Sequence, residues 1–171
     1  MNKIIFFTLL SIFITSCSST STTTTLGNNK PIYYDFADKV STEQLQFIQS
    51  TYGWDNEEIL IIHYNQPISS CHFDNNKITS QGKKFRKDFY ATIDTENCLY
   101  IQVLSNGERV KNKLDNITYF DDADDFLLDN FFKRKKSCFG VLVINQTGSY
   151  FQFNGHYSEK QVATFIEELK S

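Results

Sequence analysis

The chain has 171 residues and a formal net charge of −3, with 40% hydrophobic, 22% charged and 15% aromatic residues. That length suits one domain, and the charge lacks the basic excess of a nucleic-acid-binding domain. Two Pro, seven Gly and four Cys exclude a collagen-like chain, a proline-rich linker and a disulfide-dense scaffold, while 16 Phe and nine Tyr can fill a packed core.

Residues 1–17 read MNKIIFFTLLSIFITSC. Lys3 supplies a positive start, Ile4 to Ile14 an apolar stretch broken only by Thr8 and Ser11, and Thr15 and Ser16 the small residues before Cys17. This is the layout of a secretory signal, and the apolar run is shorter than the ~20 residues of a spanning helix. Ile14-Thr15-Ser16-Cys17 resembles the lipobox of bacterial lipoproteins. The resemblance implies a signal peptide over 1–16 and a diacylglyceryl group, often with a further palmitate-like acyl chain, on Cys17 as the mature N-terminus. Two or more such chains hold a protein stably on a bilayer. The implied partner is therefore a cell-envelope membrane. Ser18 in place of Asp is compatible, in a Gram-negative source, with sorting to the outer membrane facing the periplasm.

Residues 18–30 read SSTSTTTTLGNNK, with no periodic apolar pattern. Residues 17–30 are expected to be a flexible tether reaching ~45 Å at most, since a strand through the Thr run would be polar on both faces. The folded domain is expected over 31–171.

Ser41-Thr42-Glu43-Gln44 has the form of a capping box, with Leu45, Ile48 and Tyr52 on one helical face, Phe47 beside them and Gly53 as the stop. Ile59 to Tyr64 is a continuous apolar run that predicts a central strand buried on both faces. A weaker helix over 76–92 uses Ile78, Phe85 and Phe89, and Cys98 to Leu104 is a second strand parallel to the first. Asp121 to Lys136 predicts a helix with Ala123, Phe126, Leu127 and Phe131 on one face. Four Asp stand at its start and Lys133-Arg134-Lys135-Lys136 at its end, matching the helix dipole. That explanation is preferred over a phosphate or lipid patch for the basic run, and over a cation site for the aspartates. Phe139 to Ile144 and Tyr150 to Asn154 predict an antiparallel hairpin around Gly148. Ser158 to Gln161 then caps a helix carrying Val162, Phe165, Ile166 and Leu169.

The order α, β, α, β, α, β, β, α, closed by VLVINQTGSYFQFNGHYSEKQVATFIEELK, resembles the thioredoxin fold. The resemblance implies a three-layer α/β domain with a mixed central sheet of about four strands flanked by helices, the third strand antiparallel to the first. Thioredoxin chemistry uses a C-x-x-C at the end of the first central strand. Here that stretch reads Tyr64-Asn65-Gln66-Pro67-Ile68-Ser69-Ser70-Cys71-His72, and no Pro precedes the third strand at Lys136-Ser137-Cys138. The implied topology puts Cys71 and Cys138 at one end of the sheet and Cys98 at the other, so the bridge it favours is Cys71–Cys138. Cys98 is then left as a free thiol.

Two functions are consistent with these features. One is a non-catalytic, lipid-anchored thioredoxin-like domain that binds another envelope component. The other is an envelope thiol–disulfide protein using Cys71 as its catalytic residue, alone or with Cys138. No spacing of His63, Cys71, His72 or His156 matches a metal site, and no phosphate- or dinucleotide-binding motif occurs, so neither metal nor cofactor is expected. His63, in an apolar strand, is read as a core residue.

Overall fold

In chain order the elements are β1 (Thr22–Leu26), β2 (Lys30–Tyr34), β3 (Phe36–Lys39), α1 (Thr42–Tyr52), β4 (Ile59–Asn65), a helical stretch over residues 86–90 (α2), β5 (Cys98–Leu104), β6 (Phe120–Asp121), α3 (Phe126–Asn130), β7 (Phe139–Asn145), β8 (Ser149–Asn154) and α4 (Glu159–Lys170). This computed structural model describes residues 22–26, 30–66, 86–105, 118–132 and 138–171.

An apolar strand without alternation needs cover on both faces, and β4 has it, being buried at all seven residues. It pairs in parallel with β5, from Ile59↔Cys98 to Asn65↔Leu104. On its other side it pairs antiparallel with β7, from Ile59↔Asn145 to Asn65↔Phe139. β7 and β8 form an antiparallel hairpin whose turn places Gly148 at φ 85°. The core strands thus lie in the order β8-β7-β4-β5, with β7 alone opposed to the others, which is a thioredoxin-like topology.

The sheet has six strands rather than the four expected. β3 adds to β8 at one edge and the two-residue β6 to β5 at the other. Both escape sequence reading for the same reason: Phe36–Lys39 and Phe120–Asp121 are too short and too polar to show a period of two.

Helices cover both faces. On one, Leu60, Ile62, Tyr64, Val103, Leu142 and Ile144 pack against Ile48, Tyr52, Trp54, Leu127, Phe131 and Phe132. On the other, Ile59, Ile61, Val141 and Val143 meet Phe89, Ile93, Val162, Phe165 and Ile166. α1 begins with the expected reciprocal capping box, Ser41 Oγ accepting from Gln44 N–H at 3.2 Å and Gln44 Oε1 from Ser41 N–H at 3.0 Å. It stops at Gly53, whose φ of 64° an L-residue adopts only with strain. Ser158 caps α4 through Gln161 N–H at 3.3 Å.

Two further expectations change. Thr22–Leu26, placed by composition in a flexible tether over 17–30, pairs antiparallel with Lys30–Tyr34 as a separate two-stranded ribbon. β-branched Thr favours extended backbone, and the ladder satisfies main-chain groups whatever the side chains face. The helix expected from Asp121 to Lys136 is reduced to a 3-10 turn over Ala123–Asp125 and one helical stretch over Phe126–Asn130. Asp124 and Asp125 both take φ 54°, a left-handed conformation that Asp tolerates and that no continuous helix can include. Residues 133–137 lie outside the described residues, and of the helix expected over 76–92 the described residues include only 86–92.

Candidate functional site

The sheet end at which β4 stops is built by three short contacts. Gln66 is buried; its backbone N–H donates to Cys138 O at 3.0 Å and its side-chain amide to Phe132 O at 3.1 Å. Gly155 N–H donates to Phe139 O at 2.8 Å, carrying the β7–β8 ladder one residue pair further at this end. The His156 ring rests against that of Phe139 at 5.2 Å. Cys138 is held here, half-buried and disulfide-bonded. Cys98 starts β5 at the opposite end of the sheet as a free, partly buried thiol donating to Glu96 O at 3.5 Å. Burial pushes that thiol above its ordinary value. The partner of Cys138, with Cys17 and Cys71, lies outside the described residues.

Two polar clusters lie beneath this end, one on each face of β4. On the α2/α4 face, His63 is buried with Tyr157 Oη on Nδ1 and Tyr90 Oη on Nε2. It stacks on Tyr157 at 5.5 Å and meets Phe89 edge-on at 5.7 Å. Arg86 adds a hydrogen bond to Tyr157, and its guanidinium reaches Gln102 Oε1 at 2.9 Å on the neighbouring strand. Burial first, and the Arg86 charge second, hold His63 well below its ordinary pKa, so the imidazole is neutral at pH 7. The expected core histidine is thus satisfied at both ring nitrogens. Nothing in the sequence announces this, because Tyr90 and Tyr157 both lie far downstream in the chain.

On the other face, Tyr64 stacks on Phe132 with ring centroids 4.3 Å apart and planes 3° from parallel. Its hydroxyl donates to Asp122 Oδ2 at 2.8 Å. Asp122 also accepts Leu127 N–H at 2.8 Å and Leu128 N–H at 2.9 Å, closing the orphan donors at the start of α3. Burial outweighs these donors and leaves the carboxyl above its ordinary value. Asp122 therefore serves the backbone. Among the described residues no group of three or more His, Cys, Asp or Glu is placed to hold a metal ion.

No protein-family model matches the chain, and no curated protein matches it. Among solved structures it is similar to a secreted Mycobacterium tuberculosis disulfide oxidoreductase homologous to E. coli DsbE, at 12% identity and a TM-score of 0.44, covering 75% of this chain and 99% of that one. It is also similar to MTB dsbF in its mixed oxidized and reduced forms, at 12% identity and a TM-score of 0.42, covering 67% and 82% of the two chains.

Proposed function

We propose that the chain is an exported, lipid-anchored thiol–disulfide protein of the cell envelope, in which Cys71 and Cys138 form the working disulfide of a thioredoxin-like domain. The observation that carries this reading is the half-buried, disulfide-bonded Cys138 at the end of the sheet where β4 stops, with Cys98 free at the other end. Cys17 is assigned to lipid, which leaves Cys71 as the partner. Cys71 follows Gln66 by five residues, and Gln66 already bonds the Cys138 carbonyl. Five residues reach ~17 Å, ample for the ~7 Å between Cα atoms that a disulfide needs.

The chemistry is exchange with a dithiol. A substrate thiolate attacks Cys138 Sγ and the Cys71 thiolate leaves. The second substrate thiolate then attacks the mixed disulfide and releases the Cys138 thiolate. The substrate loses two electrons and gains a disulfide; the protein gains two electrons and takes up the protons as two thiols. A second disulfide-bearing protein resets it. In the alternative reading the bridge is a staple worth ~4 kcal/mol by closing a long loop, and the domain only binds an envelope component. The lack of a second Cys beside Ser69-Ser70-Cys71-His72 favours that alternative.

Non-reducing peptide mapping of the membrane-extracted protein checks the pairing, and a Cys98-containing bridge defeats it. Mixing the oxidised protein with a dithiol peptide separates the two functions. About one peptide disulfide forms per protein if the bridge is working, and none forms with Cys71→Ser or Cys138→Ser. An intact bridge that never exchanges leaves the binding function.

A further inference from the structure

Gln66 holds Phe132 and Cys138 to one point of the fold. Its backbone N–H donates to Cys138 O at 3.0 Å, and its side-chain amide donates to Phe132 O at 3.1 Å. The two bonds differ in origin. The first carries the β4–β7 ladder one pair beyond Asn65↔Phe139, and any residue except Pro would make it. The second needs an amide at this position. Gln66 is buried, and a leucine there would be buried at lower cost, so the amide answers to its bond. Phe132 is a firm anchor for that bond. Its N–H donates to Leu127 O at 3.0 Å, and its ring lies between the Tyr64 ring and Gly140, where a methyl group would not fit. Cys138 carries the disulfide. Gln152 supplies a comparison within the same molecule. It too is buried and gives its side-chain amide to a carbonyl, that of Phe131, but it stands opposite Leu142, four residues from Cys138.

We infer that Gln66 is a positioning residue for the Cys138 disulfide, holding the Cys138 main chain where the bridge needs it and so favouring the oxidised form. The inference rests on the reading that the Cys138 bridge is the working one, and it names a residue that sets how readily that bridge gives way. A disulfide accepts only a narrow range of Cα separations. A cysteine already held within that range has less freedom to lose when the bridge forms, and its partner thiol acts at a higher effective concentration. The bridge and the Gln66 side-chain bond restrict the same part of the chain. Each therefore strengthens the other by one common factor. A residue that served folding alone would stabilise the oxidised and reduced chains equally and leave the redox equilibrium where it was.

The test equilibrates the membrane-extracted mature chain, carrying Cys98→Ser, with dithiothreitol and its cyclic disulfide. Reduction passes two electrons and two protons from the dithiol to the bridge, leaving two protein thiols and the cyclic disulfide. Gln66→Leu should raise the equilibrium constant for reduction about tenfold, the factor that one buried hydrogen bond carries, whereas Gln152→Leu should leave it within about twofold. Denaturant unfolding should show Gln66→Leu losing more stability in the oxidised chain than in the reduced one, and Gln152→Leu losing equally in both. A second measurement needs no variant to fold. In the unsubstituted chain, reducing the bridge should speed hydrogen exchange of the Gln66 side-chain amide about tenfold and leave that of Gln152 unchanged. An unmoved equilibrium in Gln66→Leu, an equal shift in Gln152→Leu, or Gln66 exchange indifferent to the bridge overturns the inference. Failure of the exchange function looks different: the bridge responds to dithiothreitol and to Gln66→Leu, yet forms no disulfide in a peptide dithiol.

Discussion

His63 and Tyr64 are neighbours on one strand, buried on opposite faces of one sheet, and each ends in a hydrogen-bonded cluster. The His63 cluster joins side chains to side chains: two phenols, a guanidinium and an amide around a neutral ring. The Tyr64 cluster joins a phenol, through one carboxylate, to two backbone donors that begin a helix. The first holds α2 and the lead-in to α4 against β4, whereas the second shapes the chain between β6 and α3. A buried polar group that satisfies backbone is harder to replace than one that satisfies side chains, because no neighbour can turn to take its place.

The sharpest way to break this comparison is Asp122→Ala. It leaves Leu127 N–H, Leu128 N–H and the Tyr64 hydroxyl without their acceptor. Denaturant unfolding should show a loss of ~3 kcal/mol, with Asp122→Asn recovering about half because one oxygen remains. If alanine costs under ~1 kcal/mol, the carboxylate is not what sets the start of α3.

Gly140→Ala comes next. On the Tyr64 face, a methyl group at position 140 would overlap the Phe132 ring, which is held by its stack on Tyr64. On the His63 face the adjacent Val141 is accommodated, fully buried. The substitution should cost ~2 kcal/mol through overpacking, read as a drop in the denaturant midpoint with no change in slope.

The two clusters also carry opposite pH signs. His63 has a folded pKa below its unfolded value of ~6.5, so the unfolded chain binds more protons below that pH. Its contribution is complete above ~6.5 and is lost as pH falls, by up to ~1.4 kcal/mol per pH unit. Asp122 has a folded pKa above its ordinary value, so the folded chain binds more protons just above pH ~3.8 and gains stability there as pH falls. Thermal unfolding from pH 7 to 5 should therefore show a falling midpoint in the native chain and a flatter one in His63→Phe. An equal slope in both places the titration elsewhere.

What the sequence conveys follows the same division. β4, β5, β7 and β8 are legible because their apolar content is continuous or alternating, and the parallel and antiparallel senses follow from the lengths of the connections. α1 and α4 are legible because Ser41 and Ser158 cap them within one turn. Asp122 misleads for a physical reason. Aspartates before an apolar stretch read as the first turn of a long helix, whereas Asp122 caps from outside it and Asp124 and Asp125 turn left-handed. The ribbon of β1 and β2 is illegible because its ladder uses backbone alone, and the partners of His63 because Tyr90 and Tyr157 come from segments remote in the chain.

The smallest expected effect separates two phenols beside one carboxylate. Tyr64 and Tyr52 are both buried in the same apolar cluster, and burial and then the Asp122 charge push both phenols upward. Tyr64 donates to Asp122, whereas the buried Tyr52 hydroxyl has no hydrogen-bond partner among the described residues. Tyr64→Phe should cost ~1.5 kcal/mol, the value of a hydrogen bond to a charged acceptor. Tyr52→Phe removes a desolvated hydroxyl and keeps the ring that meets Phe120 edge-on at 5.5 Å, so it should be neutral or stabilise by ~0.5 kcal/mol. A loss of ~1 kcal/mol or more in Tyr52→Phe would mean that Asp122 divides its acceptor capacity between both tyrosines in solution. The Tyr64→Phe cost should then shrink in the Tyr52→Phe background, a coupling that a double-mutant cycle measures directly.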